Sequence, residues 1–153
     1  MLMQLPPCGL YRTIGRIGPI PEGKLVYFHN HGDPGPGLYL PTAWKNNRAQ
    51  FSEKGTVLPG PESMRFLEPL PPEGLYRVTE AFFCCEKRCR SFEPEALVLL
   101  GYNGDAEPIL FLPEMVDGLL AVPERGTRIE RRSLERIKLL KLRISDRGSS
   151  TAH

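Results

Sequence analysis

The heptapeptide Pro6-Pro7-Cys8-Gly9-Leu10-Tyr11-Arg12 recurs as Pro71-Pro72-Glu73-Gly74-Leu75-Tyr76-Arg77, with one residue changed. A chain of 153 residues that writes such a segment twice is constrained towards two related units of about seventy residues each. The likeness continues downstream. Leu25–Pro41 aligns without a gap on Leu97–Pro113, sharing the pairs Leu25/Leu97, Val26/Val98, Gly32/Gly104, Asp33/Asp105, Leu38/Leu110, Leu40/Leu112 and Pro41/Pro113. Phe51–Thr56 then matches Val122–Thr127, and the segment from Ser63 resembles that from Ser133. The offset moves from 65 to 72 and back to 70, as expected if insertions and deletions fall in loops between matched strands.

Each half reads as strands. Gly9–Thr13 and Gly74–Val78 are short runs of β character, and the apolar runs ending at "HGD" and "NGD" have strand length. Gly and Asx at those ends suit tight turns, and the Pro that follows each return arm cannot donate to a ladder. A third hairpin is expected around Ser52–Thr56 and its match Pro123–Thr127. After it, Ser133 is expected to cap a single helical turn, and Leu140, Leu142 and Ile144 to line one face of a last strand. The 16 Pro and 15 Gly favour short elements and many turns over long helices. The order strand, long loop, hairpin, hairpin, helical turn and strand resembles an SH3-like small barrel in architecture alone. The acidic loop and aromatic groove of peptide-binding SH3 domains are missing, so the resemblance implies no ligand site.

The expected fold is therefore mostly β with little helix: two tandem, internally duplicated SH3-like barrels packed together. The first repeat spans 1–70 and the second 71–145, with a Cys-containing loop insertion. A disordered polar tail is expected over 146–153. The proline-rich boundary Glu68–Gly74 is short and stiff, which would fix one unit against the other.

Positions that differ between the halves are where function can reside. The loop after Arg77 is seven residues longer than its counterpart and carries Cys84, Cys85 and Cys89 beside Lys87, Arg88 and Arg90, cations that would lower a thiol pKa. Cys8 stands where the second half has Glu73, and His29 and His31 stand where it has Gly101 and Asn103. Two residues apart on an extended strand, the histidines would point the same way, a spacing that can hold a metal. These six Cys and His residues are the candidate metal ligands, with zinc as the metal; otherwise they are buried thiols and half-exposed histidines, and no cofactor is expected. From Arg125 to Arg147 seven Arg and two Lys face three acidic residues, which makes Arg131, Arg132, Lys138 and Lys141 candidate contacts to nucleic-acid phosphates. The segment Ala43–Phe51 holds the single Trp. Trp44, Asn46, Asn47 and Arg48 are the candidate partner-binding residues, as an aromatic flanked by polar donors suits an interface anchor.

No spacing sets a nucleophile beside a base. The expected function is a non-enzymatic binding module, adaptor or inhibitor, whose partner is another protein. Nucleic-acid binding and a metal-dependent protein using Cys and His are the alternatives. Without a leader pattern or an apolar run of spanning length, the expected location is cytoplasmic and no membrane contact is expected.

Overall fold

The computed structural model describes residues 5–31 and 35–143, and the tail expected to be disordered lies outside them. In the first half the strands are β1 (Gly9–Thr13), β2 (Leu25–His29), β3 (Gly37–Tyr39), β4 (Pro41–Lys45), β5 (Arg48–Phe51), β6 (Thr56–Val57) and β7 (Leu67–Pro69). The second half follows with β8 (Gly74–Val78), β9 (Phe82–Phe83), β10 (Ser91–Phe92), β11 (Leu97–Tyr102), β12 (Pro108–Phe111), β13 (Glu114–Val116), β14 (Leu119–Ala121), β15 (Thr127–Arg128) and β16 (Ile137–Leu139). Among the described residues the helical content is two six-residue 3₁₀ turns, Pro61–Phe66 and Arg131–Arg136. The chain is mostly β, as its composition implies.

Two antiparallel five-stranded sheets carry the structure, ordered β6-β3-β2-β1-β7 and β15-β12-β11-β8-β16. Their registers correspond pair by pair. Tyr11 faces Val26 as Tyr76 faces Val98, Tyr27 faces Tyr39 as Leu99 faces Phe111, and Thr13 faces Leu67 as Val78 faces Ile137. The correspondence extends to hydrogen bonds outside the ladders. Tyr11 donates its hydroxyl to the Pro7 carbonyl at 2.7 Å, and Tyr76 to the Pro72 carbonyl at 2.6 Å. The hydroxyl of Tyr102 reaches the Pro71 carbonyl at 2.6 Å, so the proline-rich boundary is held by two buried phenols as well as by its own stiffness.

Neither sheet closes into a barrel. The two- and three-residue strands β6 and β7 are separated by a 3₁₀ turn and remain opposite edges of one open sheet, as β15 and β16 do in the other. Three local expectations also need correction. The third hairpin is β4–β5 in one half and β13–β14 in the other, one element earlier than expected; Thr56 pairs with Leu38 instead. Ser133 lies buried within its 3₁₀ turn, whose N-cap is Glu130. The last strand is Ile137–Leu139, so Leu140 and exposed Leu142 fall beyond it, and Ile144 lies outside the described residues.

The first loop of each half plugs its own sheet. Ile17 and Ile20 form a one-residue bridge and are fully buried against Tyr11, Val26 and Phe28. In the second half Phe82 and Phe92 stack at 4.9 Å on the β9–β10 hairpin and fill that role together with buried Cys84. Leu25 and Ala49 belong to the second half's core, so the halves share an apolar contact. The Leu25 amide also donates to the Gly104 carbonyl at 2.9 Å, and Lys24 pairs with Asp105 at 2.9 Å. No helix among the described residues is long and apolar enough to cross a membrane.

Candidate functional site

The two halves differ most in what the hairpins β4–β5 and β13–β14 touch. Asn46 and Asn47 turn β4 into β5 with φ of 53° and 65°, and Asp117 and Gly118 do the same for β13–β14 with φ of 50° and 78°. Both are two-residue turns with positive φ, whose twist matches the flanking strands. Aligning the turns makes Trp44 equivalent to Met115 and Ala49 to Leu120, because Trp44 pairs with Ala49 and Met115 with Leu120. The register shift between Pro41 and Ala43 accommodates Thr42, the one extra residue of the first hairpin.

Hairpin β4–β5 is docked on the second half. The Trp44 indole donates to the Tyr102 carbonyl at 2.7 Å, and the Asn47 side-chain amide to the Pro123 carbonyl at 3.1 Å. The Ala49 amide donates to Glu73 Oε2 at 3.0 Å, with Arg48 Nε 4.0 Å from the other oxygen. Glu73 is almost fully buried; desolvation pushes its carboxyl above the usual range, against the lowering effects of the Ala49 amide and then Arg48. Gly101 makes the approach possible: a Cβ there would lie 2.8 Å from the Asn47 carbonyl oxygen. Trp44, Asn47 and Arg48 of the expected partner surface thus make their contacts within the chain, and Asn46 forms the turn between them.

Hairpin β13–β14 has no such seat. Met115 is 66% exposed, Leu119 73% and Leu120 59%, and Val116 and Val122 are exposed beside them. Met115 faces Leu120 across the ladder and Val116 faces Leu119, so both faces of this two-stranded ribbon are apolar. This patch was not anticipated from sequence. The signal was present: Asp-Gly between apolar pairs is a strong hairpin mark, and the bulge at Thr42 hid its match to the Trp44 segment.

The six candidate metal ligands separate into two clusters. Pairing of Gly9 with Phe28 sets Cys8 opposite the end of β2. Cys8 Sγ lies 3.6 Å from His29 Nδ1 and 4.0 Å from His31 Nδ1, and the two imidazole centroids are 4.0 Å apart. Asn30 ties the group together: its amide reaches Cys8 Sγ at 3.3 Å, and its Oδ1 is 2.8 Å from His31 Nδ1. His29 is half-buried and His31 exposed. Cys84, Cys85 and Cys89 form the other cluster at the tip of β9–β10, with Cys84 Sγ 3.7 Å from Cys85 Sγ. The Cys85 thiol is lowered chiefly by the Lys87 backbone N–H, then by Cys84, so the main chain outweighs the basic side chains expected to act there. Cys89 is raised, chiefly by the charge of Cys85.

The basic segment is dispersed. Arg131 pairs with Glu68 at 3.2 Å and donates to the Ala106 carbonyl, and Arg132 pairs with Glu130 at 3.1 Å. Lys138 lies exposed on β16, with Lys141 just beyond it. Of Trp44, Tyr39 and Tyr102, the aromatics expected to stack bases in that reading, Tyr102 is buried, the Trp44 indole N–H is already bonded, and half-buried Tyr39 lies in a cleft with Tyr27, His29 and Phe51.

No family model, no curated protein and no solved structure matches this chain.

Proposed function

We propose that the chain is a pair of copies of one SH3-like β unit, and that it acts as a non-enzymatic protein-binding module, an adaptor or inhibitor, through the β13–β14 hairpin. The supporting observation is the contrast between equivalent positions: Ala49 is 8% exposed on the second half, whereas Leu120 is 59% exposed. An isolated two-stranded ribbon is at best marginally stable in water, and one apolar on both faces gains from being covered. The docked hairpin supplies the template for what covers it: a sheet surface with a main-chain carbonyl for a donor and a glycine where backbones cross.

The occupant is a different protein. In a second copy the matching surface of the first half has His29 in place of Gly101, and a Cβ at that crossing meets the hairpin's turn. The second half's own surface is already filled by β4–β5. The nucleic-acid reading has less support, because Arg131 and Arg132 are engaged in ion pairs and Phe83, the exposed aromatic in the cleft beside Arg132, is covered by the Arg88 guanidinium at 5.0 Å.

A photo-crosslinking residue at Leu119, with one at exposed Glu53 as control, tests the reading in native lysate. The expected result is a discrete adduct from position 119 alone, competed by excess wild-type chain and not by the Met115→Asp/Leu120→Asp variant. Equal competition by both refutes the hairpin as the docking element. A concentration-dependent dimer in sedimentation, abolished by the same variant, keeps the hairpin and overturns the choice of occupant.

A further inference from the structure

We infer that Cys8, His29 and His31 form a binding site for a divalent transition metal, zinc best matching the ligand set. The matching registers of the two sheets make position 8 equivalent to Glu73, 29 to Gly101 and 31 to Asn103, whatever the β13–β14 hairpin binds. None of those three counterparts is a thiol or an imidazole. All three departures lie in one place, contributed by two neighbouring strands, and a fold that needed only packing there has shown it can use other residues.

The geometry fits an ion. A tetrahedral zinc with bonds of about 2.3 Å to sulfur and about 2.0–2.1 Å to nitrogen separates its S and N donors by about 3.6 Å. Cys8 Sγ is 3.6 Å from His29 Nδ1 and 4.0 Å from His31 Nδ1, and the three donor atoms all lie within 4.8 Å of one another. Nδ1 of each histidine is turned to the sulfur, and to coordinate, His31 Nδ1 exchanges its 2.8 Å contact with Asn30 Oδ1 for the ion. The Asn30 backbone N–H, 3.3 Å from Cys8 Sγ, is the kind of outer contact that orients a ligand. One thiolate with two imidazoles is a borderline set that zinc and cobalt(II) accept in a tetrahedral site with one open position, and that copper also takes. Three protein ligands leave the fourth position to solvent, and Cys8 also lines a cavity of about 510 Å³ with Tyr11, Tyr27, Arg48 and Glu73.

Where the second half receives the hairpin with Glu73 and Gly101, the first half has this cluster. The substitution that removes a hairpin seat is the one that installs the donors.

The test is titration of the untagged, chelator-stripped full chain with Co²⁺, followed by optical absorption. The expected outcome is one Co²⁺ per chain, with tetrahedral ligand-field bands, a sulfur-to-cobalt charge-transfer band and displacement by Zn²⁺. Cys8→Ser should abolish the charge-transfer band and weaken binding more than about 100-fold, since loss of an outer-shell partner alone costs about 10–100-fold. His31→Asn installs the counterpart residue at an exposed position and should weaken binding comparably with an unchanged circular dichroism spectrum. Cys89→Ser should bind as wild type. No uptake by folded wild-type chain, or uptake lost in Cys89→Ser and kept in Cys8→Ser, overturns the assignment.

Discussion

Replacing Trp44 by Ala should destabilise the fold, and replacing its equivalent Met115 should not. Trp44 is 45% exposed, so a little over half of it is covered, with its indole seated against Tyr102 and Gly104 of the second half. Taking about 100 Å² of that area as removed from water gives about 2.5 kcal/mol at about 25 cal/mol/Å². The indole hydrogen bond to the Tyr102 carbonyl adds about 0.5–1.5 kcal/mol, and the unfolded chain already buries part of that apolar area, so the expected loss is about 2–4 kcal/mol. Met115, two-thirds exposed and bonded to nothing beyond its ladder, should cost less than about 0.5 kcal/mol. Urea unfolding followed by far-ultraviolet circular dichroism measures both without relying on the lost tryptophan. Equal effects for the two variants would refute the claim that one hairpin is seated and the other free.

Gly101→Ala should cost about 1–3 kcal/mol in the same assay, because the new Cβ meets the main-chain oxygen of Asn47 at 2.8 Å and cannot be relieved by a side-chain rotation. Glu73→Ala should cost about 1–3 kcal/mol by leaving the buried Ala49 amide without its acceptor. Glu73→Gln keeps an acceptor and removes the charge. The Glu73 pKa is raised in the folded chain, so the ionised form costs stability at neutral pH and protonation relieves that cost as pH falls towards 4.5. Glu73→Gln should therefore be at least as stable as wild type at pH 7, with the difference gone below about pH 4; a difference that grows on acidification would contradict the assignment. Burial pushes Tyr76 up to about 12 and Tyr102 higher still. Their contribution is complete below the ordinary value of 10.0 and is lost as pH rises through the folded values, so phenolate absorbance from both should appear only with alkaline unfolding.

Much of the sheet architecture was legible because turn chemistry and proline positions punctuate the chain, and because one half can be read against the other. Leu25–Pro41 and Leu97–Pro113 were matched by sequence and form hairpins with corresponding partners, Phe28 with Leu38 and Leu100 with Leu110. Barrel closure was not legible, since it depends on whether edge strands of two or three residues meet across a 3₁₀ turn, a tertiary matter. The candidate metal ligands were visible as positions where the two matched halves differ. Their division into two clusters was not, because only the pairing of β1 with β2 puts Cys8 beside His29. The free hairpin was missed at the bulge: a single inserted residue, Thr42, displaced the alignment where Trp44 and Met115 correspond.

Amide hydrogen exchange at two residues tests the central asymmetry most directly. Ala49 and Leu120 hold the same register position in their hairpins, one residue inside the pair that closes the turn, where the amide points away from the partner strand. The Ala49 amide should be strongly protected through its bond to buried Glu73, and the Leu120 amide should exchange near the rate of an unstructured peptide. Similar protection at both positions would contradict the account.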